Sequence, residues 1–196
     1  MMVVGLTGGI GSGKTSISKF FKELGIPVYI ADDAGKRLME TSVEIKAEII
    51  KLLGDKAYQN NRPNRKYIAG LVFKDAEKLN ALNEIIHPAV ATDFDSWKVK
   101  QTAAYVIYEA AILFETKGAK NCDFTILVTA NKEERITRLQ KRDKSTREEI
   151  EARMAKQWPD EKKRKLADFE IENHDLRLAK VQVIELHENL LKQVEN

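Results

Sequence analysis

One cysteine, Cys122, is the only thiol in the chain. No internal disulfide can form, and nothing ties the fold to an oxidising compartment. Glycine and proline are scarce, at 10 and 4 of 196 residues, which excludes linker-rich, collagen-like and low-complexity architectures. Aromatic residues make up only 7%. No apolar run approaches the ~20 residues that a bilayer-crossing helix needs. The opening MMVVGLTGG has no basic n-region, so it does not read as a signal peptide. These absences lead us to expect a soluble, cytoplasmic globular protein that does not engage a membrane. Its length suits one domain with a full core and room for a small inserted subdomain.

Excess charge is also missing, since 33 basic residues face 30 acidic ones for a net +3. The distribution is uneven, however. Residues 131–165 hold 13 basic and 8 acidic side chains, and the rest of the chain is close to neutral. Such a stretch reads either as a solvated helical face or as a basic patch or lid that meets an anion.

Hydrophobic patterning predicts strands alternating with helices. Met1–Leu6 reads as a buried strand. Ile17, Phe20, Phe21 and Leu24 then stripe a helix that runs from Lys14 and stops at Gly25. Pro27–Ile30 reads as a second strand. From Asp32 and Asp33 to about Trp97 the pattern is helical without a good strand, with breaks near Gly54, across Gln59–Asn64 and at His87-Pro88. Tyr105–Tyr108 and Phe124–Thr129 read as interior parallel strands. Asn131 with Glu134 has capping-box spacing and opens a helix through Arg142. Ser145 with Glu148 opens another, predicted to reach about Trp158 and to end at Pro159. Phe169–Ile171 suits a last strand. Leu176, Ala179, Val183, Leu186 and Leu190 line a final helix. The expectation is an α/β domain with a parallel, doubly wound sheet.

Gly8-Gly9-Ile10-Gly11-Ser12-Gly13-Lys14-Thr15 fits G-x-x-x-x-G-K-[ST], with a strand before it and a helix after it. The glycines let the backbone curl, so that successive N–H groups point at a polyphosphate. They do so at a helix N-terminus, whose partial positive charge favours an anion. Lys14 reaches β- and γ-phosphates, and Thr15 offers a hydroxyl to Mg²⁺. The motif calls for a nucleoside triphosphate with Mg²⁺ and leaves the acceptor unnamed.

Other candidates have two open readings each. Asp32 and Asp33 follow the second strand, where one could take the proton of an attacking hydroxyl or both could cap the next helix. Glu109 ends the third strand, as a Mg²⁺ partner through water or as a strand-end acid. His87 is a capping or packing residue. Arg135, Arg138 and Arg142 share one helix face, as solvated charge or as stabilisers of a transferring phosphoryl group.

Taken together, these residues resemble the dephospho-coenzyme A kinase family nearly end to end. The resemblance lies in the order of Gly5 through Thr15, Asp33 with Arg37, Leu82 through Pro88, Leu113-Phe114-Glu115, Arg135 through Arg142, Gln157, and Ala167 through Asn173. It implies a nucleotide-kinase fold of about five parallel strands with a helical substrate-binding insertion and a helical lid. The nucleotide core would be 1–33, 98–141 and 166–196, the insertion 34–97 and the lid 142–165. The implied activity is transfer of the γ-phosphoryl of ATP to the ribose 3′-hydroxyl of dephospho-CoA. By the same resemblance Asp33 is the base, while Lys14 and Arg142 stabilise charge. Gly8, Gly11, Ser12, Gly13, Lys14, Thr15, Ser16 and Asn173 hold the nucleotide. Arg37, His87 and Glu115 join Asp33 at the substrate, and Thr15 and Glu109 serve the metal.

The chain departs from the family in having Ala31-Asp32-Asp33 where Asp-Ala-Asp is usual, Ala111-Ile112-Leu113 for Pro-Leu-Leu, and Glu109 for an Asp. Another small nucleoside or nucleotide kinase is the alternative. A GTPase is disfavoured: Asp32–Gly35 reads D-x-x-G but falls too soon after Thr15, and Asn131–Glu134 has Glu where N-K-x-D needs Asp. A nucleic-acid-binding ATPase lacks any accompanying motif, so no nucleic-acid partner is expected.

Overall fold

The computed structural model describes residues 1–195. The chain opens with β1 (Met2–Gly8), α1 (Lys14–Glu23), β2 (Val28–Ile30), α2 (Ala31–Thr41) and α3 (Val43–Leu53). A short hairpin follows, β3 (Tyr58–Gln59) and β4 (Arg62–Pro63), then α4 (Arg65–Val72) and the long α5 (Ala76–Lys98). The remainder is β5 (Tyr105–Glu109), β6 (Phe124–Thr129), α6 (Lys132–Asp143), α7 (Arg147–Met154), α8 (Asp160–Arg164), β7 (Phe169–Glu172) and α9 (Leu176–Glu195). Two compact units form, Met1–Ile30 with the chain from Gln101 onward, and Ala31–Lys100.

The first unit holds a five-stranded parallel sheet in the order β2-β5-β1-β6-β7. The period-two pattern puts Val4, Leu6, Tyr105, Ile107, Ile126, Val128 and Ile171 on one face. Ile17 and Phe21 of α1 and Ala179, Val183, Leu186 and Leu190 of α9 cover that face. On the other face Gly5 lies against the segment after β5, where a Cβ would come within 2.6 Å of Leu113 Cδ2 and 2.9 Å of Cys122 Sγ. Asp168 staples β7 to β6, accepting from both the N–H and the hydroxyl of Thr125 at 2.8 and 2.7 Å. Parallel pairing brings the carboxyl ends of β1, β5, β6 and β7 to one edge, with Gly8, Glu109, Thr129 and Glu172 there. Ligands of open α/β sheets gather at such an edge.

The second unit packs α2, α3, α4 and α5 around Ile45, Ile49, Leu53, Ile68, Val72 and Leu82. Gly35 lets α2 approach α5, since a Cβ there would sit 3.3 Å from Ile86 Cγ2.

Several local expectations need correction. The helical block does contain strands, the β3–β4 hairpin, which turns through Asn60 and Asn61 at positive φ. His87-Pro88 does not break α5. Its apolar stripe continues past the proline through Val90 and Phe94, both buried, and tertiary packing outweighs the one lost backbone bond. Asn131 starts α6 without a side-chain cap, and Glu134 pairs with Arg138 and His174 rather than closing a capping box. The second capping box is one residue later than predicted, Thr146 with Glu149, which satisfies both backbone N–H groups. Its helix ends at Met154 rather than near Trp158, and Pro159 becomes the N-cap of α8.

Candidate functional site: a phosphate loop and its braces

The loop between β1 and α1 curls as its glycines permit. Gly11 and Gly13 have φ of 79° and 95°, where side chains are strained. Ser12 N–H closes the turn on the Gly9 carbonyl at 3.1 Å. Lys14 Nζ folds back to the Gly8 carbonyl at 3.0 Å, across the mouth of the loop. Lys14 and Thr15 begin α1, so their N–H groups belong to the first turn, which has no intrahelical acceptors. Thr15 is exposed and Ser16 half-buried on that turn. The motif residues are therefore brought together as a tight curl that ends in the first-turn N–H groups of Lys14 and Thr15, with one ammonium across it.

Neighbouring side chains occupy the space the glycines leave. A Cβ on Gly13 would lie 2.0 Å from Asn173 Nδ2, and one on Gly9 2.1 Å from an Arg135 guanidinium nitrogen. Asn173, 1% exposed, donates to the Ser12 carbonyl at 2.8 Å, and its own carbonyl accepts from Arg138 at 2.7 Å. Asn173 Oδ1 and Ser12 Oγ are buried without a protein partner. Beside them lies a cavity of about 550 Å³ lined by Gly13, Ser16, Arg138, Asn173, Asp175 and Arg177.

The three arginines on one face of α6 part company. Arg135 donates to the Ile10 carbonyl at 2.9 Å and pairs with Asp160 at 3.0 Å. Burial pushes the Asp160 carboxyl above its usual range, against the pull of Arg135 and Lys163. Arg138 reaches the Gly11 and Ser12 carbonyls at 3.5 and 3.4 Å. Arg142 instead makes a two-pronged pair with its neighbour Asp143 at 2.6 and 3.0 Å. That hydrogen bond raises the Arg142 pKa, and with Arg153 it holds Asp143 down at about 2.

Glu109, at the end of β5, is 6% exposed and accepts from Ser18 Oγ of α1 at 2.7 Å. Glu115, for which the resemblance implies substrate contact, lies in a buried ion pair, Oε1 being 2.9 Å from Lys163 Nζ. The Trp158 N–H donates to the same oxygen at 3.0 Å.

In the second unit, Asp32 and Asp33 occupy the first turn of α2. Asp33 is exposed and accepts from Lys36 at 2.7 Å. Arg37, one turn on, pairs with Asp93 of α5 at 2.6 Å. His87 lies on α5, where desolvation lowers its pKa while the charge of Asp32 opposes the shift.

Asp160 and Lys163 are site residues the sequence reading missed. Lys163 is one of four consecutive basic residues, Lys162 to Lys165, and nothing in a charge run marks its single buried member. Asp160 follows Pro159, which caps the start of α8 where the sequence pattern suggests a helix end.

A family model described as dephospho-CoA kinase matches residues 2–177. A dephospho-CoA kinase from Salinibacter ruber is 37% identical over 90% of this chain and 93% of its own length. One from Fusobacterium nucleatum is 38% identical over 89% and 90%. The crystal structure of TT1252 from Thermus thermophilus superposes with a TM-score of 0.89, at 32% identity over 97% of each chain.

Proposed function

The chain belongs to the dephospho-CoA kinase family, and from that premise we propose how its residues divide the family's reaction. The activity is an ATP-dependent phosphotransfer, with the γ-phosphoryl of ATP passing to the ribose 3′-hydroxyl of dephospho-CoA to give coenzyme A and ADP. The observation that carries the residue assignments is the curled loop at the N-terminus of α1, braced from behind by Asn173, Arg135 and Arg138.

Gly8, Gly11, Ser12, Gly13, Lys14, Thr15 and Ser16 hold the triphosphate, and Lys14 stabilises charge that builds on the β- and γ-oxygens during transfer. Asn173 supports the nucleotide through Ser12 and Gly13. Arg142 is the second cation for the transferring group, reached by exchanging Asp143 for phosphate. Asp33 accepts the proton of the 3′-hydroxyl as that oxygen attacks, with Arg37 and His87 binding dephospho-CoA. Glu115, buried against Lys163, serves the substrate site by shaping the segment after β5.

For Mg²⁺ the available donors are the exposed Thr15 hydroxyl and the Glu109 carboxylate. Both are hard oxygens, suited to an ion that takes few protein ligands and completes its shell with phosphate and water. When bound, Mg²⁺ supplies charge neutralisation on the phosphate oxygens. Among the described residues no helix is long and apolar enough to cross a membrane. We place the enzyme in the cytoplasm, where its ATP is.

An acceptor panel tests the reading. With ATP, dephospho-CoA should be turned over, and adenosine, AMP and pantetheine should not. Preference for adenosine or AMP would favour the other small nucleoside or nucleotide kinases, and a strong preference for GTP over ATP would overturn the donor assignment.

A further inference from the structure

We infer that Gln157 is a positioning residue for the phosphate loop, holding the backbone of Ile10 from a seat built by the buried Lys163–Glu115 pair. The inference rests on the nucleotide reading of the loop given above.

Both polar groups of Ile10 are held from outside the loop. Its N–H donates to Gln157 Oε1 at 2.7 Å, and its carbonyl accepts from Arg135 at 2.9 Å. Its side chain packs on the apolar cluster of Ile136, Leu139 and Ile150. With Ile10 turned outward, the inward-facing donors are left to the residues that follow. Without Gln157 that N–H would lack its acceptor, and the curl before Gly11 and Gly13 would lose its outer hold.

Gln157 is itself held. Its Nε2 approaches the Ala111 carbonyl at 3.5 Å, an oxygen that also accepts from Thr7 at 3.4 Å and Lys163 at 3.3 Å. Lys163 has no solvent exposure. A buried ammonium persists only when paired and hydrogen-bonded, and this one has the Glu115 carboxylate at 2.9 Å besides that carbonyl. The same carboxylate oxygen accepts from the Trp158 N–H, so it fixes the backbone next to Gln157. Lys162 lies 3.3 Å over the centre of the Trp158 ring, closing the seat. The chain from 157 to 163 therefore ties the phosphate loop to the segment after β5.

The test compares Gln157→Leu, close in volume but without an acceptor, with Gln157→Glu, which keeps an oxygen for Ile10. In Gln157→Leu we expect the directly measured ATP Kd to rise about tenfold, as loss of this half-buried hydrogen bond predicts. The KM for dephospho-CoA should stay within about twofold, and exchange of the Ile10 amide in the nucleotide-free protein should accelerate about tenfold. Gln157→Glu should recover most of the amide protection. Wild-type ATP affinity in Gln157→Leu, unchanged Ile10 exchange, or equal loss of protection in both variants would overturn the inference. If Gln157→Leu does not fold, Gln157→Ala gives the same comparison. Failure of the wild-type protein to phosphorylate dephospho-CoA would instead sink the acceptor reading, since ATP affinity and amide exchange are measured without it.

Discussion

Asn173 Nδ2 donates to the Ser12 carbonyl at 2.8 Å, spanning 161 positions of sequence to tie the end of β7 to the phosphate loop. The amide fills the space a side chain on Gly13 would need. Removing a buried hydrogen bond costs about 1–1.5 kcal/mol, so Asn173→Ala should weaken ATP binding roughly tenfold. Asn173→Asp should be worse, because its carboxylate would face the Ser12 carbonyl and add negative charge near phosphate. Calorimetric titration of ATP into each variant gives the ranking; an Asp variant that binds as well as wild type would contradict the brace.

Lys14 lies across the loop mouth. Lys14→Ala should lower kcat by about 10²–10³, the range for losing one preorganised group that stabilises transition-state charge. Lys14→Arg should restore little, since a planar fork does not replace a compact ammonium in a backbone cradle. Steady-state rates at saturating ATP decide this.

The two aspartates of α2 are expected to separate by readout. Asp33→Asn should lower kcat by about 10²–10⁴ if Asp33 takes the hydroxyl proton. Asp32→Asn should instead act on His87. The Asp32 charge raises the imidazole pKa against desolvation, so removing it should move that pKa further below the ordinary value. Proton NMR titration of His87 in the two variants checks the assignment, and a larger shift in Asp33→Asn would reverse it.

Asp143 gives an acid-range prediction. Its pKa is held at about 2, first by the hydrogen bond from Arg142. A depressed carboxyl contributes stability that is present above its ordinary pKa and lost as pH falls through the folded value. The stability difference between wild type and Asp143→Asn should therefore shrink as pH falls from about 4 to 2. Urea unfolding across that range measures it; a gap that stays constant with pH would show that the pair is not coupled to folding.

The fold was legible where one physical signal dominated. Strand Phe124–Thr129 is found residue for residue, and the stripe through Leu176, Ala179, Val183, Leu186 and Leu190 lies on one helix whose buried residues pack on the sheet. The phosphate loop was legible because its glycine positions are dictated by the curl itself. Residues 142–165 were less legible. Two adjacent capping patterns competed there, and the one that formed has Thr146 rather than Ser145. The arginines of α6 share a face by spacing, but spacing cannot say that Arg135 and Arg138 turn to loop carbonyls while Arg142 turns to Asp143. Burial of Lys163 depends on the Glu115 carboxylate 48 positions away, a long-range pairing that local pattern does not encode.

The most direct measurement is structural assignment of the product. Incubated with ATP and dephospho-CoA, the enzyme should yield coenzyme A carrying one new phosphate on the ribose 3′-oxygen, located by tandem mass spectrometry and ³¹P NMR, with one ADP formed per phosphate transferred. New phosphate at another position, or ATP consumed with dephospho-CoA unchanged, would contradict the account.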